Sequence, residues 1–137
     1  MIVDSSVWVD FLSRRPGAAA RALRSFLSNG GPVFLTPVIV QEIVQGARDV
    51  AHLASLNRAL AVFPLCQPGD VRASAREAGA LYARCRWQGV TIRSPNDCLI
   101  AVTAIEHRQP VMTLDRDFLF LRSIDARLQL IDAHAEN

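Results

Sequence analysis

The chain reads as one α/β domain spanning residues 1–137, built on a mostly parallel sheet with helices on both faces. Three observations predict this. Short apolar runs (Ile2-Val3, Val33-Phe34-Leu35, Val62-Phe63-Pro64-Leu65, Pro110 to Leu114, Leu128 to Ile131) alternate with longer segments of helical character. A helix between successive strands is what the crossovers of a parallel sheet require. Finally, 137 residues, half of them hydrophobic, can bury one sizeable core, and no linker, repeat or low-complexity stretch divides them.

Each element has a local reason. Ile2-Val3 begins a strand that ends at Asp4, and Ser5 or Ser6 can cap a helix from Val7 to Leu12, broken by Arg14-Arg15-Pro16-Gly17. Ala18 to Ser28 is Ala- and Leu-rich and stops at Asn29-Gly30-Gly31. After the strand Val33 to Leu35, Thr36 is a cap and Pro37 a favourable first residue for a helix from Val38 to Gly46 that carries Glu42. Arg48 to Ala61 places Leu53, Leu56 and Leu60 at helical spacing, and Pro64 limits the strand Val62 to Leu65. Pro68-Gly69-Asp70 precedes a long helix, Val71 to Trp87, closed by Gly89. Pro95 disfavours helix at Ser94, and the Asn96-Asp97 pair offers oxygens to a helix start, followed by the almost wholly apolar Cys98 to Ile105. Pro110 to Leu114 is a buried strand, Phe118 to Arg122 a helical turn, Leu128 to Ile131 a last strand and Ala133 to Asn137 a tail.

Composition excludes several classes. No apolar run reaches the ~18 residues of a membrane span, so no membrane association is expected. MIVDSSVW, with an acid at its fourth position and no basic region, does not resemble a signal peptide. Cys66, Cys85 and Cys98, odd in number and widely spaced, suit reduced thiols in a cytoplasm better than disulfides or zinc. A formal net charge of +2 does not announce a nucleic-acid partner. All 15 basic residues are Arg, so no mechanism that needs a lysine amine is open.

The acids are more informative. Ligands of open α/β sheets bind beyond the carboxyl ends of the strands, and Asp4, Asp115 and Asp117 fall at such ends. Asp97 opens the helix before the Pro110 strand, and Glu42, on the second turn of its helix, is long enough to reach back. Taken singly, Asp97 can be a helix cap, Asp115 and Asp117 solvated turn residues and Glu42 a surface residue beside Gln41 and Gln45. Taken together they repel: two carboxylates about 4 Å apart oppose each other by roughly 4 kcal/mol at an effective dielectric of 20. Protonation or a divalent cation would relieve this. Oxygen donors without nearby His or Cys suit Mg²⁺, with Mn²⁺ a plausible substitute, rather than zinc. A carboxylate-held Mg²⁺ with open positions supports phosphodiester hydrolysis by an activated water.

The opening IVDSSVWVDFL, the Glu42 helix in TPVIVQEIVQG, the segment GVTIRSPNDCLIA and the closing VMTLDRDF occur in that order across nearly the whole chain. In these pieces the chain resembles the PIN-domain family, and within it the VapC-type ribonuclease toxins of type II toxin-antitoxin pairs. The resemblance implies a PIN-like α/β/α sandwich and metal-binding, catalytic acids at Asp4, Glu42, Asp97 and Asp115. It implies that Ser6 helps orient the site and that the substrate is RNA, cut to leave a 5′-phosphate. Asp117 belongs to the D-x-D-F ending, with direct, water-mediated or no metal contact left open. Thr113 is placed to steady a carboxylate, and Arg93 to meet a phosphate or an acid. The implied partners are a second copy of the chain and a VapB-like antitoxin whose arm crosses the acidic groove. Trp8 is expected in the core or an interface, and His52, His107 and His134 carry no expected role.

Two other functions compete. A receiver-like or phosphatase domain with an Asp phosphoacceptor also uses Mg²⁺, but receivers need a Lys and dehalogenase-like phosphatases a D-x-D after the first strand, where this chain has Ser6. An inactive PIN-like scaffold for RNA or protein would have no reason to keep four mutually repelling carboxylates.

Overall fold

The computed structural model describes residues 1–133; the tail expected over Ala133 to Asn137, and His134 with it, lies outside them beyond Ala133. Three strands pair in parallel in the order β1 (Ile2–Val3), β2 (Val111–Thr113), β3 (Leu130–Asp132). The expected strands Val33 to Leu35 and Val62 to Leu65 contract to parallel bridges, Ile2 with Phe34 and Leu35 with Leu65. Their ladder is still visible. Phe34 N–H donates to Met1 O at 2.9 Å, Leu35 N–H to Pro64 O at 3.0 Å and Cys66 N–H to Leu35 O at 2.7 Å. Pro64 can supply only a carbonyl, and Thr36 and Pro37 turn the chain into a helix, so neither run lengthens.

Across the sheet the rows therefore run Leu65, Leu35, β1, β2, β3. From β1 the chain steps outward one way to Leu35 and Leu65, then crosses back to β2 and steps the other way to β3. The reversal falls between β1 and β2, and at such a reversal open α/β sheets leave a crevice beyond the carboxyl ends of their strands.

Among the described residues, seven helices flank this sheet: α1 (Ser5–Phe11), α2 (Ala18–Ser28), α3 (Pro37–Val44), α4 (Val50–Leu60), α5 (Val71–Trp87), α6 (Asn96–Glu106) and α7 (Asp117–Ile124). The last is two turns rather than the single turn expected, and β3 lies one to two residues later than expected. Asp49, read as a helical residue, caps α4 by accepting His52 N–H at 2.7 Å. Of the three leucines spaced along α4, Leu56 and Leu60 are buried and Leu53 is exposed.

The core is formed by the strands and the inner helix faces. Ile2, Val3, Val7, Trp8, Leu23, Leu35, Ile39, Ile92, Ile100, Val111, Phe118 and Leu121 are its largest fully buried side chains. Trp8 packs edge-on to Phe11 and Phe63, at 5.7 and 5.0 Å between ring centroids, and is a core residue. α6, buried along Asp97 to Cys98 and Ile100 to Ala104, packs against α3, α5 and α7. Its first turn is thereby fixed beside the crevice. No helix among the described residues is long and apolar enough to cross a membrane, and all three cysteines are free thiols.

Candidate metal centre

Asp4 follows β1 directly and caps α1; its Oδ2 accepts Ser6 N–H at 3.4 Å, the capping place expected of Ser5 or Ser6. That substitution releases both serine hydroxyls. Ser6 Oγ donates to Asp4 Oδ2 at 2.6 Å and accepts Leu114 N–H at 3.1 Å. Thr113 Oγ1 donates to the same oxygen at 3.1 Å and accepts Asp115 N–H at 2.9 Å. Two hydroxyls thus tie the Asp4 carboxylate to the backbone leaving β2. Burial raises the pKa of Asp4, and the Ser6 and Thr113 hydroxyls and the Ser6 and Ser5 amides oppose that rise.

Asp97 lies in the first turn of α6 but caps nothing. The turn before it is closed by backbone instead, Asp97 N–H to Ser94 O at 3.0 Å and Cys98 N–H to Pro95 O at 3.1 Å. The capping expectation for Asn96 and Asp97 is therefore corrected, because Pro95 already holds helical dihedrals and Asp97 turns inward. At 4 % exposure it is a buried carboxyl. Burial first, then the charges of Asp4, Asp115, Glu42 and Asp117, push it up to about 8. A helix N-terminus favours the ionised form, so desolvation and repulsion prevail here.

Glu42, on the second turn of α3, is half-buried rather than a surface residue of the Gln41 and Gln45 stripe. Burial and then Asp4 raise its pKa, against a hydrogen bond from the Ser5 hydroxyl. Ser5 had no expected role here; its only signal was its place beside Asp4.

Asp115 and Asp117 close the group. Each of Asp97, Asp115 and Asp117 brings one oxygen within 4.8 Å of the others, a spacing one cation can bridge. Asp117 is therefore a full member of the cluster. Arg93, coming from the loop before α6, reaches both neighbours: Nη2 to Asp115 Oδ1 at 2.8 Å and Nε to Asp117 Oδ2 at 3.3 Å. Of the two partners open to it in the sequence, it has met the acids.

Five acids, from the ends of two strands, the second turn of α3 and the starts of α6 and α7, thus lie in one region, and among the described residues one arginine pairs with two of them. Asp4 Oδ1, Glu42 Oε1 and Asp97 Oδ2 are buried with no hydrogen-bond donor. Buried acceptors are rarely left so. Three donorless oxygens from three elements are ready ligands for a divalent cation, and the all-oxygen donor set suits a hard ion.

The PIN domain model matches residues 1–122. A VapC ribonuclease of Mycobacterium bovis and ribonuclease VapC11 of Mycobacterium tuberculosis are each 33% identical over 119 residues, covering 86% of this chain and 88% of theirs. Among solved structures, VapBC2 from Rickettsia felis, bound to a DNA fragment from its promoter, superposes with a TM-score of 0.72 at 17% identity, over 95% of this chain and 96% of that one. That last likeness is one of fold.

Proposed function

This chain belongs to the PIN domain family, and from that premise we propose that it is a Mg²⁺-dependent endoribonuclease toxin of the VapC type, held inactive by a VapB-like antitoxin. The observation that carries the reading is the set of donorless buried oxygens on Asp4, Glu42 and Asp97 beside the Asp97-Asp115-Asp117 cluster. Two relatives at 33% identity bear the name ribonuclease.

Asp4, Glu42, Asp97 and Asp115 are the ligands, with Asp117 completing the set on the side of α7. A Mg²⁺ held there would polarise a phosphate oxygen and lower the pKa of a water, giving a nucleophile at neutral pH. Ser6 and Thr113 fix the Asp4 carboxylate with its Oδ1 free, as outer hydrogen bonds orient a metal ligand. Asp97, whose pKa is raised to about 8, would give its proton to solvent and hold its negative charge with a cation bound. The substrate is RNA, cut to a 5′-phosphate by water, with no need for a side-chain nucleophile.

The antitoxin fits the same electrostatics. A basic side chain laid into a groove of unpaired acids relieves their repulsion and blocks the ion. A homodimer is the expected assembly of the toxin, by resemblance to the family.

Calorimetry with Mg²⁺ and Mn²⁺ tests the centre. The wild type should bind and Asp97→Asn should lose at least tenfold in affinity, as is typical when a ligand shell is disturbed, with RNA cleavage abolished by chelator. A wild type that binds neither ion would remove the reading.

A further inference from the structure

Arg93 hydrogen-bonds two of the three carboxylates whose oxygens converge for a cation. Its guanidinium is a cation already in place, yet its side chain is 73% exposed and free to swing into solvent. The scaffolding of the two acids does not depend on it. Asp117 Oδ2 also accepts the Arg93 backbone N–H at 2.9 Å, and Asp115 Oδ1 also accepts Asp117 N–H at 2.9 Å. Both carboxylates are thus aimed by amides that any residue at position 93 retains. What the side chain adds is charge, on two of the three carboxylates the ion would use.

Resting on the reading of this crevice as a metal centre, we propose that Arg93 is a built-in competitor for the divalent cation: it occupies Asp115 and Asp117 in the metal-free protein and must leave them for the ion to bind. A guanidinium and a divalent ion cannot share the same two carboxylates without strong like-charge repulsion. Because exposed ion pairs are individually weak, the competition is shallow, and it raises the ion concentration at which the centre fills rather than preventing filling. Arg93 therefore sets the threshold of the metal site. Asp97, which no basic side chain meets among the described residues, is left to bind the ion without a competitor of its own.

The test is the sign of a change in metal affinity. Mn²⁺ is titrated calorimetrically into wild type, Arg93→Ala, Arg93→Lys and Asp97→Asn, each shown to be folded by circular dichroism. Arg93→Ala should bind about fivefold more tightly than wild type, the scale of two exposed ion pairs. Arg93→Lys, which keeps the charge, should stay near wild type. In the wild type, addition of diamagnetic Mg²⁺ should also shift the Arg93 Nε–H resonance toward that of a solvated guanidinium. Unchanged or weaker binding by Arg93→Ala would overturn the proposal while leaving the metal centre intact, since a merely structural arginine weakens the site when removed. Failure of both wild type and Arg93→Ala to bind would overturn the metal centre itself.

Discussion

At the scale of the residue, Asp97 carries the largest electrostatic burden. Its carboxyl stands at about 8 in the folded protein against the ordinary 3.8, so the folded state holds this proton more firmly than the unfolded chain. The stability this contributes is complete below pH 4 or so and is lost as pH rises through about 8. Metal-free protein should therefore unfold more easily in urea at pH 8.5 than at pH 6, by on the order of a few kcal/mol. Asp97→Asn should flatten that slope and be the more stable protein at pH 8.5. An equally steep slope in the Asn variant would assign the lost proton elsewhere. Most of these site residues were legible as acids at strand ends, and the convergence of Asp4 with Asp115 followed from topology alone. Which hydroxyl or guanidinium meets which oxygen was not, because such choices are made by side-chain rotamers and not by spacing. Ser5, the exchange of the α1 cap to Asp4 and the grip of Arg93 all emerged at this level.

At the scale of the element, the helix bodies were read well and their ends poorly. Periodicity, Gly and Pro place the middle of a helix, whereas its first residue depends on which oxygen reaches the free amides. α2 shows this clearly. Its cap position is Gly17, which has no side chain to offer, and the amides are satisfied from α1: Asp10 accepts Gly17 N–H at 3.0 Å and Ala20 N–H at 2.8 Å. One carboxylate thus caps α2 and fastens it to α1. Asp10→Ala should cost about 1 to 2 kcal/mol, the range of a lost cap. It should lower the thermal midpoint by several degrees in calorimetric scans while sparing RNA cleavage at low temperature. Loss of activity with an unchanged midpoint would instead give Asp10 a part in the site. The strands at Val33 and Val62 were read as longer than they are because apolar content marks burial and not ladder length; Pro64 and Pro37 truncate what the composition suggests.

At the scale of the whole molecule, the mostly parallel sheet with helices on both faces was legible in the alternation of elements, whereas the strand order and the reversal between β1 and β2 came only with the structure. That reversal gathers acids from distant parts of the sequence into one crevice. Expression in the absence of an antitoxin should arrest growth, and Asp4→Ala or Asp97→Ala should restore colony formation. Undiminished arrest by both variants, each soluble and folded, would detach the toxicity from the acids.

The bonds that fasten this corner, Thr113 hydroxyl to Asp4 and Leu114 amide to the Ser6 hydroxyl, span 109 and 108 positions along the chain. During synthesis, Asp4 and Ser6 leave the ribosome more than a hundred residues ahead of Thr113 and Leu114. Until the segment around Thr113 to Asp117 has left the exit tunnel, the acids cannot be gathered. An unfinished chain therefore carries the early acids of the group unassembled, however much of the rest of it has already folded.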